Sequence, residues 1–482
     1  MLASALVVLI IALAWSTWLL RTRRYRAVVR IPRTRDDQFV CRGPHQSFAI
    51  PVDSHGLELP EASFAQTASA FLAIDVAATA LGHLLDPSVE VQLEKGSYRQ
   101  YFERGVAGTR YLNLSPAFQQ AGTGTLRRIA LRGRYIHWAA QGSLMVFDCP
   151  SLGNGDALII APHPDDAEIA AYGFYSQRRS WIVTITSGER SPTDLSAVVP
   201  CSAEQTRWRA RLRAWDSLTI PQLGGVPREH CWNLVFPDAR LKQMHDNPQH
   251  PFRLHCEDGG IRGALRANNP VIEFSSGAAD CSWEDLVEEL RRTLDKVRPA
   301  VLVCPHPQLD PHHDHLFTSV ALAQALRTGA HQPSTVLLYA LHANEVPLYP
   351  FGAAESSVSL PPWGGAEWIA DSIYSYPLPE DVRRAKFFAV EAAHDLRMYC
   401  DSRPKTARQL AATLHRALAA VISGMGLYPT AFLRRAPRPN EIYYAASVEG
   451  FLELARRATQ PEARGDMPRS PARISRNAPA GS

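Results

Sequence analysis

The chain has 482 residues, 46% of them apolar and 20% charged, and a net charge of +4. This composition is globular, which excludes a disordered chain, and the length suits two to three domains of about 150 residues. No basic stripe with interleaved aromatics argues for nucleic acid as a partner, and eight scattered cysteines without a C-x-x-C pair indicate neither a zinc ribbon nor a disulfide framework.

Met1 to Leu20 is almost wholly apolar and carries no charge. As a helix it spans about 30 Å, the thickness of a bilayer core. Arg21, Arg23, Arg24 and Arg26 follow it, whereas a cleaved signal would carry its charge in front. The pattern predicts a single transmembrane anchor over 1–26, with the body on the cytoplasmic side of an inner membrane. A polar linker is expected over 27–46.

From about 47 to 150 short alternating runs predict a β-rich domain, a sandwich or jelly roll. Val89 to Leu93, Tyr111 to Leu114 and Ile129 to Ile136 are examples. Simple packing against the following domain is the favoured role, with glycan binding as the other. Residues 151–427 then alternate strand and helix, which argues for an α/β domain with a mostly parallel sheet. Ala157 to Ala161, Trp181 to Thr186, Leu234 to Asp238, Ala300 to Cys304 and Val336 to Ala340 read as strands. Helices are expected near Ser202 to Leu218, Trp283 to Val297 with Ser282 as N-cap, Leu316 to Leu326, Glu380 to Tyr399 and Ala407 to Ile422. Residues 240–281 read as an inserted loop region, 428–459 as a C-terminal extension and 460–482 as a disordered tail.

Two strand ends carry the chemistry. The first gives His163-Pro164-Asp165-Asp166, one imidazole and two carboxylates within four residues. The second runs from His306 through Asp310 to His312-His313-Asp314-His315. A lone histidine at a strand end is usually structural. Two such clusters, each at the carboxyl end of a strand in an open sheet, point to a ligand site. Imidazole with carboxylate is ordinary ligation for a divalent metal, zinc above all, although ligand type alone does not separate zinc from other divalent ions. Cys304 is read as a small apolar strand residue.

These residues resemble the PIG-L/LmbE-like zinc deacetylases. The family's H-P-D-D, followed by Glu and Gly, is met by His163 to Asp166 with Glu168 and Gly173. Its H-x-D-H before a helix is met by His312 to His315. The resemblance covers about 157–400 and implies a Rossmann-like (LmbE-like) fold and hydrolysis of an N-acetyl group from an amino sugar. It makes His163, Asp166 and His315 the ligands of Zn2+ or another divalent metal. It makes Asp165 the general base and His312 the group that polarises the acetyl carbonyl. Asp238 resembles a sugar-contacting Asp, and Arg207 a substrate-binding Arg, though the usual Glu three residues on is Ala210. Lys386 and His394 resemble a helix near the site, though Leu396 and Arg397 stand where polar residues are usual.

The chemistry follows from the residue types. Three protein ligands leave a metal position open for water, and a neighbouring carboxylate can take that water's proton. A protonated His312 is expected to hold the oxyanion, with Asp310 or Asp314 orienting the imidazoles. The anchor suggests a glycolipid or envelope polysaccharide precursor as substrate, in a cleft around Asp238 and Trp363. Two other readings remain open: an amidase on another amide conjugate, and a catalytically idle glycan-binding subunit.

Overall fold

The computed structural model describes residues 35–460, apart from 44, 61–63, 65–67, 94–95, 121–127, 192, 194, 197, 257–259, 271–278, 344–348, 366 and 397–435. The apolar run Met1 to Leu20, the helix expected over Ala407 to Ile422 and the tail from 461 lie outside the described residues. No helix among the described residues is long and apolar enough to cross a membrane.

The strands are β1 (Val40–Cys41), β2 (Gln46–Asp53), β3 (Gly56–Glu58), β4 (Ser69–Ala78), β5 (Ser88–Gln92), β6 (Ser97–Tyr101), β7 (Ala107–Asn113), β8 (Arg128–Arg134) and β9 (Ile136–Phe147). After them come β10 (Ala157–Ala161), β11 (Ser180–Thr186), β12 (Cys231–Phe236), β13 (Val301–Pro305), β14 (Thr335–Tyr339), β15 (Trp368–Ala370), β16 (Ser372–Pro377) and β17 (Asn440–Ala446).

The β-rich part is an eight-stranded antiparallel sheet in the order β6-β5-β8-β3-β2-β9-β4-β7. The run Ile129 to Ile136, read as one strand, breaks at Tyr135, whose φ of 62° lies in the left-handed region. β8 then pairs with β3 and β5, while β9 pairs with β2 and β4. Both halves bury their apolar face in one core, with Leu72, Leu144 and Val146 from one and Val89, Val91 and Leu131 from the other.

The second sheet has the order β12-β11-β10-β13-β14-β17-β16. β10 to β14 are mutually parallel and nearly all buried, as the continuous apolar runs Ala157 to Ala161 and Val301 to Cys304 require. Chain order reverses between β10 and β13, the switch point where such sheets place their ligands. The capping box at Ser282 and Asp285 starts the helix Trp283–Val297 as expected.

Several expectations need correction. The segment read as a C-terminal extension supplies β17, which is antiparallel to both β14 and β16 and lies between them. The helix Val448–Ala458 after it buries Phe451 and Leu454 in the main core. The expected linker holds β1, which pairs with β15, and Phe39 is 5% exposed between Tyr111 and Tyr444. The loop region 240–281 contains two short helices, Leu241–Asp246 and Ile261–Arg266, and a bridge from Phe252 to Cys281. The helix from Glu380 ends at Ala392.

The β-rich sheet and the α/β sheet pack on each other. Asn113 donates to Val358 O at 2.7 Å and Ser375 Oγ at 3.1 Å, and Ser375 N donates to Ser69 Oγ at 2.9 Å. Trp363, expected in the cleft, sits in this interface, with its N–H donating to Asp37 Oδ1 at 3.0 Å.

Candidate functional site

All five parallel strands bring polar residues to the same end of the sheet. β10 delivers His163, Asp165 and Asp166; β11 delivers Glu189; β12 delivers Asp238; β13 leads to Asp310, His312 and His315; β14 leads to His342. Asp166 and His315 fall in the first turns of the helices Asp166–Tyr175 and His313–Thr328, and rigid helix starts fix both side chains.

Three of these atoms form a nearly regular triangle. His163 Nδ1 lies 3.2 Å from Asp166 Oδ2, His315 Nε2 lies 3.2 Å from the same oxygen, and the two nitrogens are 3.3 Å apart. A tetrahedral ion bonded at 2.0–2.1 Å would separate its ligands by about 3.3–3.4 Å. The residues therefore fit a divalent ion. Asp310 accepts from His315 Nδ1 at 2.8 Å, which leaves Nε2 as the lone-pair nitrogen facing the triangle. On the far edge of His163, Nε2 lies 3.3 Å from Asp314 Oδ2 and 3.4 Å from Asp238 Oδ1. Burial opposes the charge on Asp166, but His315 and His163 hold its carboxyl well below the usual carboxylate range.

Asp310 and Asp314 are each 1% exposed, so both acids need partners. Asp310 also accepts from Leu341 N at 3.0 Å, His342 N at 3.2 Å and His342 Nδ1 at 3.1 Å. Asp314 accepts from Ala239 N at 2.7 Å and Leu241 N at 3.3 Å. Ala239 has a φ of 60°, a conformation that costs about 1–2 kcal/mol without such support. Asp314 thus ties the end of β12 to the second histidine cluster.

His312 stands 4.9 Å from His163 and 5.1 Å from His315 between ring centroids. It was expected to be protonated. Burial is the largest of the effects that push it down to about 2, so the ring is neutral. Its Nδ1 is buried without a hydrogen-bond partner.

Asp165 is oriented by a residue the sequence reading did not single out. Arg213 Nη2 lies 2.7 Å from Asp165 Oδ1, and Nη1 lies 2.7 Å from Asp395 Oδ2. Arg213 crosses Gly188, where a Cβ would come within 2.8 Å of Arg213 Nε and 2.9 Å of Pro164 Cδ. Arg207, the expected arginine, is half-exposed on the same helix, Ser202–Thr219. Six residues turn it about 120° away from Arg213. The signal was present: Asp216 follows Arg213 by three, the spacing sought in vain at Arg207 and Ala210.

His394 joins this group through Asp216, which accepts from His394 N at 2.9 Å and lies 2.5 Å from its Nδ1. Lys386 does not. It is 1% exposed and donates to Glu441 Oε1 at 2.7 Å, and Glu441 also accepts from Gly173 N and Phe174 N. Glu441 thus ties the metal-site helix to β17, and Lys386 fastens the helix Glu380–Ala392 to the same carboxylate. Glu189, passed over as a strand end, accepts from Asp238 N at 3.2 Å and Ser187 Oγ at 2.6 Å. Burial, then Asp238, pushes it up to about 7.

Residues 158–326 match a protein-family model described as PIG-L, GlcNAc-PI de-N-acetylase. Over those residues the chain is similar to the PIG-L family. A comparison with curated proteins finds no match. Among solved structures, the chain is similar to N,N'-diacetylchitobiose deacetylase from Pyrococcus horikoshii, at 15% identity over 61% of this chain and 84% of that chain, with a TM-score of 0.32. It is also similar to GalB, a 4-carboxy-2-hydroxymuconate hydratase from Pseudomonas putida KT2440, at 11% identity over 61% of this chain and 96% of that chain, with a TM-score of 0.31. Likenesses of that size carry nothing about the reaction. The PIG-L match itself spans β10 to the helix His313–Thr328, so it includes both histidine clusters but not β17.

Proposed function

We propose that the chain hydrolyses the N-acetyl group of an N-acetylamino sugar, using a divalent ion held by His163, Asp166 and His315. The observation that carries this reading is their triangle of donor atoms, 3.2–3.3 Å on a side, next to Asp165. The PIG-L match supports the same reaction class. A zinc ion bound there would polarise the acetyl carbonyl and bring its water's pKa toward about 7.

Asp165 takes the proton of the attacking water. Its Oδ1 is engaged by Arg213, so Oδ2 is the accepting oxygen and later returns the proton to the leaving amine. Water oxygen bonds to the acetyl carbon, the C–N bond breaks, and acetate and the free amino sugar leave. His312, neutral, donates a hydrogen bond to the carbonyl oxygen as charge gathers there. A bound acetyl group also ends the isolation of its buried ring nitrogen. Asp238 and His394 are assigned to the sugar, at the rim of the site.

A glycolipid or envelope precursor as substrate, and a cytoplasmic membrane face as the place of action, complete the proposal. Both rest on the pattern of Met1 to Arg26. Full-length protein stripped of metal and reloaded with zinc is expected to release acetate from N-acetylglucosaminyl glycolipids. Equal release by Asp165→Ala would reject the assigned chemistry.

A further inference from the structure

His342 stands at the edge of the metal triangle and takes no part in the reaction above. It follows β14, at the end of the sheet where β10 and β13 deliver the other histidines. Its ring lies nearly parallel to that of His312, with 28° between planes and 5.0 Å between centroids. It meets His315 edge-on, at 4.7 Å and 76°. The ring therefore extends the wall that His312 and His315 begin.

Its orientation is set from one side. Asp310 Oδ1 accepts from His342 Nδ1 at 3.1 Å. A carboxylate only accepts, so Nδ1 carries a hydrogen. A ring beside a buried acid can exist merely to serve it, but Asp310 has other donors. His315 Nδ1, His312 N, Leu341 N and His342 N all reach it, at 2.8–3.2 Å. Those donors already match the roughly four acceptor positions that a carboxylate offers. The acid orients the ring more than the ring satisfies the acid.

The second nitrogen, Nε2, is left over. His163 meets Asp166 with one ring nitrogen and Asp314 with the other, and His315 meets Asp310 and the metal triangle. Both of those rings are buried. The side chain of His342 is 46% exposed, and its Nε2 has no partner among the described residues. The ring is thus locked by a buried carboxylate and stacked on the group assigned to the acetyl carbonyl. Such a ring is a preset contact for whatever stands beside that carbonyl.

In an N-acetylamino sugar joined through its anomeric carbon, the free neighbour of the acetamido group is the hydroxyl on C3. A hydroxyl both donates and accepts, so it pairs with Nε2 whether or not that nitrogen carries a hydrogen. The amide N–H of a trans amide points away from the carbonyl oxygen that His312 holds.

We propose that His342 is a specificity-determining residue that binds the C3 hydroxyl of the substrate sugar through Nε2. This inference rests on the deacetylase reading. It makes a free C3 hydroxyl a requirement, because a group attached to that oxygen removes its hydrogen and crowds the ring. A reaction that substitutes C3 then belongs after deacetylation.

The test uses the full-length, zinc-loaded protein. Acetate release and calorimetric binding are compared for the methyl glycoside of N-acetylglucosamine and its 3-deoxy analogue. His342→Asn keeps a donor where Nδ1 stands and has nothing where Nε2 stands, so Asp310 retains its partner. In wild type the 3-deoxy sugar is expected to show a KM about tenfold higher, with kcat little changed. His342→Asn raises KM for the parent sugar by the same factor, leaves the 3-deoxy sugar unaffected and binds zinc as wild type does. An equal loss on both sugars, or a loss of zinc affinity in step with the loss of rate, would show a structural role through Asp310 and overturn the proposal. Equal kcat/KM for the two sugars in wild type would overturn it too, while leaving the deacetylase reading intact. Binding of the parent sugar that weakens in His342→Asn and in the 3-deoxy analogue, with no acetate released from either, would keep the contact and reject the deacetylase reading. Binding of neither sugar by wild type would sink both.

Discussion

Arg213 and Asp165 are joined through one guanidinium nitrogen and one carboxylate oxygen, 2.7 Å apart, and the other end of the same guanidinium holds Asp395. The proposed base is thus aimed by a rigid fork. Arg213→Lys keeps the charge and loses the fork, and it is expected to lower kcat by about 100-fold. Zinc content measured by elemental analysis should stay at the wild-type value. A loss of bound zinc equal to the loss of rate would show that Arg213 acts on the metal site instead.

Asp310 fixes His315 with Nε2 free to ligate. Asp310→Asn is expected to weaken zinc binding by about 10–100-fold, measured by competition with a chromogenic chelator. Exhaustive chelation of the wild type should abolish acetate release, and added zinc should restore it. Undiminished zinc affinity in Asp310→Asn would reject that role.

Glu168 is buried beneath the His-Pro-Asp-Asp turn, and burial, with smaller effects from Asp165 and Asp216, raises its carboxyl from 4.5 to about 8. An acid with a raised folded-state pKa binds its proton more tightly in the folded chain. Its contribution is fully present below 4.5 and is lost as pH climbs through 8. The loss runs at up to about 1.4 kcal/mol per pH unit. Glu168→Gln mimics the protonated acid and should flatten the fall in stability between pH 5 and pH 8, read by urea unfolding. Parallel pH profiles for variant and wild type would contradict this.

Lys386 and Glu441 form a buried pair 2.7 Å apart. Lys386→Met leaves Glu441 charged and without its cation, and is expected to cost about 3–5 kcal/mol. Lys386→Met combined with Glu441→Gln should recover part of that loss in a denaturant double-mutant cycle. No coupling between the two substitutions would show that the pair does not hold the helix Glu380–Ala392 to β17.

Much of the site was legible because the strands that carry it are buried on both faces. Ala157 to Ala161 and Val301 to Cys304 leave little alternative to a central strand, so the polar residues after them had to lie at its end. Arg213 was harder to find. Arg207, Arg209, Arg211 and Arg213 crowd one helix, and only its phase against Ala210, Ala214 and Ser217 separates the inward arginine from the half-exposed one. His342 was missed because one histidine after β14 carries no pattern of its own. The state of His312 was misjudged because its burial is made by segments far apart in the chain, which no local reading can sum. β17 was missed for a related reason. Its seven residues gain meaning only from pairing with β14, about a hundred positions earlier in the chain.

That distant pairing has a consequence for biosynthesis. While residues 372–377 emerge from a ribosome, the strand that will lie between them and β14 does not yet exist. The turns after β10 and β13 are made early, on a sheet whose edge stays open until Ala446 has been added. An open edge with a waiting partner is exposed to wrong pairing with other chains. The turns that carry His163, Asp166 and His315 are therefore made before the scaffold that holds them is closed, and any stop between 380 and 440 yields a product with all three proposed ligands and an unfinished sheet.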